Sequence, residues 1–316
     1  MSHKPVANHA IQFIKRPAGN GRAPKNKSHH CMKKPRSAKP NLFILGAARC
    51  GTTTLHHILG QHPDIFMAPV KEPTFFSGEF QIVKTESEYY GLYDGVTDES
   101  VVGEASGVYL TDPASPKILR SQFPDAKFLV ILRPPSVRAY SLYLLNRRCG
   151  FESISNFERA LGEEAARFAS PQFRENCPHY FHNFMYFRSG LYGEQLARYF
   201  QVFDPSQFLV LTLDDLKQAP AKTTAIIQKF LGVRPYDYFQ FSNQNSGGKI
   251  PRSFYLQQLL ETRLNPTRRT TRLLRRAGWQ FNCKAAPPLR ADTQAQLNQR
   301  YSDDFDRLRL LTGISW

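Results

Sequence analysis

The sequence lacks any run of the roughly 20 apolar residues needed to cross a bilayer. The apolar stretch Ala10–Ile14 is too short for a secretory signal, so a soluble chain is expected. Cys-x-x-Cys pairs are absent as well. Cys31, Cys50, Cys149, Cys177 and Cys283 are odd in number and widely spaced, which argues against a disulfide framework or a zinc site and predicts reduced thiols in a cytoplasmic protein. Residues 1–40 contain ten Lys or Arg and no acid, so much of the net charge of +16 sits at one end, and the remainder holds 32 basic against 26 acidic residues. A folded part this mildly basic weakens a nucleic-acid reading. The same 40 residues have few large apolar side chains to offset the entropy of ordering. A disordered basic tail is therefore expected over 1–40, and a single domain over 41–316.

From Asn41 the texture changes. Asn41-Leu-Phe-Ile-Leu-Gly46 is an apolar run ending in glycine, followed by a helical stretch from Thr52 to Leu59. Val101–Glu104, Lys127–Leu132 and Gln207–Leu213 are further short apolar runs, with helical pattern over Pro113–Ser121, Ser136–Asn146, Phe157–Phe168, Leu191–Val202, Ala221–Leu231 and Ala291–Leu311. Such alternation predicts an α/β fold of the P-loop-like, three-layer kind, a central parallel sheet flanked by helices. Phe241–Ser253 and the region around Pro287-Pro288 read as loops, and no internal repeat is present.

Three segments carry chemistry. In Gly46-Ala-Ala-Arg-Cys-Gly51-Thr52-Thr53, small residues sit where a strand feeds a helix, so backbone N–H groups and the helix N-terminus can converge on an anion. The Gly-x-x-x-x-Gly spacing matches a nucleotide-binding loop. Thr52, however, stands where that motif requires lysine, and the cation is Arg49, whose planar fork can grip phosphate or sulfate oxygens. Lys71-Glu72-Pro-Thr-Phe-Phe76 sets a cation beside a carboxylate ahead of two aromatics. In the third, a buried strand ends in Arg133 and runs into a helix on which Ser141 lies about one and a half turns beyond Ser136. Arg133 and Ser141 could both reach one phosphate at the carboxyl edge of the sheet.

Taken in order, these segments resemble the sulfotransferases that use 3'-phosphoadenosine 5'-phosphosulfate (PAPS), especially the branch containing heparan sulfate sulfotransferases and many bacterial relatives. Gly103-Glu-Ala-Ser106-Gly-Val-Tyr109-Leu resembles that branch's Gly-Glu-x-Ser-Pro-x-Tyr-Leu segment, with Gly107 where the branch has proline. The likeness continues through Gly190–Leu196, Phe208–Leu216 and Thr224–Gly232, and Asn245-Ser-Gly-Gly-Lys249-Ile-Pro-Arg252-Ser resembles the basic loop that closes over the nucleotide. The resemblance implies that Arg49, Cys50, Gly51, Thr52, Thr53 and Thr54 hold the 5'-phosphosulfate, with Arg49 in a position usually given to Lys. It implies further that Arg133 and Ser141 bind the 3'-phosphate, that Lys249 and Arg252 add cations, and that Glu72, beside Lys71, is the catalytic base. The expected reaction is in-line transfer of a sulfuryl group to a hydroxyl or amine, with Arg49 stabilising charge on the departing nucleotide and no metal ion. A carbohydrate, glycan or other small-molecule acceptor is the expected partner.

Two alternatives are a P-loop kinase or other nucleotide-binding protein, which would need a magnesium-binding carboxylate, and a basic nucleic-acid-binding protein. Of the adjacent His56 and His57, one is expected packed and the other solvated. The aromatic stretch His179–Phe187 reads as core rather than an acceptor pocket, Cys50 as a small filler, and the six arginines of Arg263–Arg276 as a solvated helix face open to an anionic glycan.

Overall fold

The computed structural model describes residues 38–237, 248–263 and 269–316. Most of the expected basic tail, the segment Asn245–Gly247 and Arg268 lie outside the described residues. Five parallel strands, β1 (Leu42–Gly46), β2 (Ile65–Met67), β3 (Val101–Ala105), β4 (Lys127–Leu132) and β5 (Phe208–Thr212), form one sheet in the order β2-β3-β1-β4-β5. Every residue of β1 is buried. Apolar side chains on both faces of a central strand require helices on both faces, which is why a continuous apolar run and not an alternating one marked it. The expected α/β architecture is present.

The chain passes from β1 to the β2–β3 side, then crosses to β4 on the other flank of β1. Ligands of open parallel sheets bind outside the carboxyl ends of the strands at such a reversal. The turns after β1 and β4 both open there, so Arg49 and Arg133 emerge at one place.

Several expectations are corrected. The helix expected over Phe157–Phe168 is two, Phe157–Gly162 and Glu164–Ala169. The one expected over Ala291–Leu311 breaks between Arg300 and Ser302, where the Tyr301 ring stacks 4.5 Å from that of Phe187 and its hydroxyl donates to the Phe187 carbonyl at 2.9 Å. Within the expected loop 241–253, Lys249–Pro251 forms β6, antiparallel to β7 (Cys283–Ala285). The ladder partner lies far along the chain, so local Gly, Pro and Asn content concealed the strand. The arginine run falls on helices Phe254–Arg263 and Arg269–Asn282, and it is not a simple solvated basic face: Arg275 pairs inward with Glu261, and Leu273, Leu274 and Phe281 are exposed.

Helix Tyr192–Phe200 is seated on the C-terminal helix Ser302–Thr312. Buried Asp304 accepts from the Gly193 and Glu194 amides at 2.9 and 2.8 Å, satisfying donors that a first helical turn leaves free. A β-carbon at Gly193 would lie 2.7 Å from the Asp304 carbonyl oxygen and 2.9 Å from the Leu308 nitrogen, both backbone atoms that cannot swing aside. Gly193→Ala should therefore lower stability by roughly 1–3 kcal/mol. Thermal unfolding checks this, and an unchanged Tm would mean that the two helices are not in such close contact.

Candidate active site

The turn after β1 places Arg49 in the left-handed region at φ 70°, and Gly51 at φ 96° precedes helix Thr52–Leu59. The first N–H groups of this helix have no intrahelical acceptor, so the turn of Thr52, Thr53 and Thr54 presents donors at its open end. Arg49 Nε donates to Ser141 Oγ at 3.1 Å, and an Arg133 guanidinium nitrogen donates to the Arg49 carbonyl at 3.3 Å. Three groups spread over 92 residues thus meet at the reversal point. Burial, and then the adjacent Arg133 charge, lower the pKa of Arg49. Among the described residues neither Arg49 nor Arg133 forms an ion pair with a carboxylate.

Cys50 points into the core, 3.6 Å from the Tyr192 hydroxyl, and burial raises its thiol pKa, leaving its backbone to the turn. His56 packs against the Ala68 carbonyl at 3.0 Å, its pKa lowered to about 4 by burial, while His57 is exposed. Lys249 and Arg252 lie on and just after β6, which packs against helix Pro135–Arg148. Arg252 Nε is bound to the Cys283 carbonyl at 3.1 Å, and no described contact joins either residue to Arg49. Among the described residues no group of His, Cys, Asp and Glu has the arrangement of a metal site.

Glu72 is held at both carboxylate oxygens. Oε1 meets Lys71 Nζ, and Oε2 accepts from the Gly107 amide at 2.7 Å. A proline at position 107 could not make that second bond. Glu72 (φ 61°) and Thr74 (φ 52°), with Arg49, are the non-glycine residues of positive φ among the described ones, and all three lie at this site. Such backbone costs about 1–2 kcal/mol per residue and persists only where the surroundings over-determine it.

The surroundings that do so are organised by Glu104, whose role the motifs did not reveal. This fully buried carboxylate at the end of β3 accepts from Tyr89 and Tyr109 at 2.7 and 3.0 Å on one oxygen and from Ser106 at 2.8 Å on the other. Ser106 Oγ in turn accepts the Thr74 amide at 3.1 Å, and the Tyr109 hydroxyl accepts the Phe76 amide at 3.2 Å. Two relays therefore pin the segment that carries Glu72. Burial raises the Glu104 pKa to about 7, with the Tyr89, Ser106 and Tyr109 bonds pulling the other way and the Glu72 charge adding to the rise.

His179 lies within the influence of the Glu72 charge. It lies between the rings of Phe80 and Phe151, at 5.0 and 5.2 Å, with its pKa lowered to about 4 by burial and opposed by the Glu72 charge. Tyr180, Phe181, Phe184, Met185 and Tyr186 of the same stretch are buried. An aromatic run gives no sign of which member comes near a distant carboxylate, so the sequence could not single out His179.

A family model described as a sulfotransferase domain matches residues 39–275. The chain belongs to that family. It is 27% identical over 281 residues to the human bifunctional heparan sulfate N-deacetylase/N-sulfotransferase 3, an alignment covering 84% of this chain and 29% of the relative. The Caenorhabditis briggsae bifunctional heparan sulfate N-deacetylase/N-sulfotransferase 1 is 25% identical over 226 residues, 67% of this chain and 24% of that one. The chain thus spans less than a third of the length of these relatives. A crystal structure of a sulfotransferase from Alicyclobacillus acidocaldarius superposes with a TM-score of 0.68 at 28% identity, covering 88% of this chain and 98% of that one. The sulfotransferase resemblance carried by the motifs is borne out, and it displaces the kinase and nucleic-acid-binding alternatives. Among the described residues no helix of this sulfotransferase is long and apolar enough to cross a membrane.

The Glu104 cluster has a pH signature. Its folded pKa of about 7 stands above the ordinary 4.5, so the protonated form contributes stability that is full below the lower value and lost as pH rises through the higher. Measured against Glu104→Gln, which does not titrate, wild-type stability should fall by about 3 kcal/mol between pH 4.5 and 7. A pH-independent difference in denaturant unfolding between the two proteins would contradict this.

Proposed function

We propose that this sulfotransferase domain moves a sulfuryl group from PAPS to a hydroxyl or amine of a carbohydrate or other small-molecule acceptor. The observation that carries the proposal is the meeting of Arg49, Arg133 and Ser141 at the reversal point, two cations without a carboxylate beside the donors of a helix N-terminus. That is a site for a ligand with more than one anionic group. The backbone from Arg49 through Cys50 and Gly51, with Thr52, Thr53 and Thr54, is assigned to the 5'-phosphosulfate, and Arg133 and Ser141 to the 3'-phosphate. Lys249 and Arg252 are assigned to the nucleotide's outer side.

In the proposed step an acceptor oxygen or nitrogen attacks sulfur, the bond from sulfur to the bridging phosphate oxygen breaks, and the acceptor proton passes to Glu72. Arg49 stabilises the charge gathered on the departing phosphate, and Lys71 and the Gly107 amide hold the base in place. The names of the curated relatives favour an amino sugar of a sulfated glycan as acceptor, and the region of Glu72 and His179, the latter beside Phe80 and Phe151, is assigned to it.

Three substitutions test these roles. Glu72→Gln should reduce PAPS-dependent turnover on the order of a hundredfold or more, and turnover at the wild-type level would remove Glu72 from the chemistry. Arg133→Ala should weaken binding of the desulfonated nucleotide by roughly tenfold or more, equivalent to losing one charge-assisted contact. Calorimetry measures it, and an unaltered affinity would take Arg133 out of the site. Gly107 already has φ −65°, a value proline adopts. Gly107→Pro should lower kcat several-fold by deleting the donor to Glu72, whereas Gly107→Ala keeps the amide and should stay near wild type. Equal kcat for the two variants would refute that role for the amide.

A further inference from the structure

The two helices between β6 and β7 are amphipathic in the inverted sense. Their polar groups face inward: Gln257 donates to Glu261 at 2.9 Å, Glu261 pairs with Arg275, and Asn282 exchanges hydrogen bonds with the backbone of Ser253. A β-carbon at Gly278 would meet Leu260 at 2.8 Å, so the helices lie close together, and Arg147 over Phe254 and Arg148 over Trp279 fasten them to helix Pro135–Arg148. The outward face is apolar. Leu273, Ala277 and Phe281 recur at every fourth position with Leu274 beside them, and Tyr255, Leu256 and Leu259 form the matching stripe on the preceding helix. Phe281 is 83% exposed, Tyr255 81% and Leu273 66%.

Charge identifies the occupant. Residues 249–290 contain ten Lys or Arg and one acid, Glu261, and that acid is already paired with Arg275. A second copy seated face to face would bring two such basic regions together, and the chain's own N-terminal segment, with ten cations and no acid, would be repelled in the same way. A polysaccharide would use the cations and leave the leucines in water. Exposed aliphatic and aromatic side chains on so basic a segment match the boundary between anionic headgroups and acyl chains.

We propose that the outward faces of helices Phe254–Arg263 and Arg269–Asn282 dock on an anionic lipid bilayer. Leu273, Phe281 and Tyr255 enter the interface, and the exposed Arg276 and Lys284 meet lipid phosphates. The hairpin is attached beside the end of helix Pro135–Arg148, the helix that bears Ser141.

Flotation of the full chain with mixed phosphatidylglycerol–phosphatidylcholine vesicles, against pure phosphatidylcholine vesicles, tests the proposal. Wild-type protein should float with the anionic vesicles alone. The Leu273→Ser, Phe281→Ser double variant should bind them at least about tenfold more weakly while its affinity for the desulfonated nucleotide, which reports folding, is unchanged. Equal flotation of variant and wild type would overturn the proposal by assigning vesicle binding to the charged N-terminal segment. So would absence of wild-type flotation, whether the double variant instead abolishes a concentration-dependent dimer in sedimentation or lowers the salt needed for elution from heparin.

Discussion

Two arginines are held together at the carboxyl edge of the sheet, the Arg133 guanidinium on the Arg49 carbonyl and the Arg49 Nε on Ser141. Arg49 and Arg133 repel, and burial makes that repulsion costlier than it would be in water. The arrangement holds because neither side chain is free to leave. Arg133 ends a buried strand, Arg49 sits in a glycine-bounded turn off the adjacent one, and Ser141 and the Arg49 carbonyl take up donors from both. A doubly anionic ligand at this place relieves the strain instead of adding to it, which is the physical content of a preorganised anion site.

The candidate base is positioned by the same principle in another form. Glu72 and Thr74 adopt left-handed backbone conformations that a free chain avoids, and the bonds of the Glu104 cluster reach the amides on that segment through Ser106 and Tyr109. A buried charge is tolerable only when fully hydrogen-bonded. Here two of the three hydroxyls that satisfy Glu104, those of Ser106 and Tyr109, also accept amides of the loop, so one cluster both offsets its own burial and holds the candidate base. The Gly107 amide adds a contact to Glu72 that a proline at this position could not supply.

Beyond β5 the organisation changes. The central sheet buries apolar faces between layers, whereas the two helices between β6 and β7 bury polar groups and present leucine and aromatic side chains outward. A surface of this kind is unfavourable in water, and it is carried by a hairpin fastened to the end of the helix bearing Ser141.

The sequence by itself determined the α/β architecture and the strand, turn and helix that carry Arg49. A buried central strand, a small-residue turn and a helix start are adjacent in the chain, so Asn41 to Leu59 showed them directly; Arg133 and Ser141 were legible in the same way, from a strand end and a helical spacing. That one of His56 and His57 is packed and the other exposed followed from their placement one residue apart on a helix; that His56 is the packed one did not. Only the tertiary structure decided what depends on contacts between distant segments. The bond from Arg49 to Ser141, the two relays from Glu104, the approach of His179 to Glu72, the pairing of β6 with β7 and the inverted faces of the intervening helices leave no local trace. Hydrophobic periodicity records which face of an element is apolar, but which element comes to lie against that face is set by strand order and packing, and at this site strand order is what joins the two arginines.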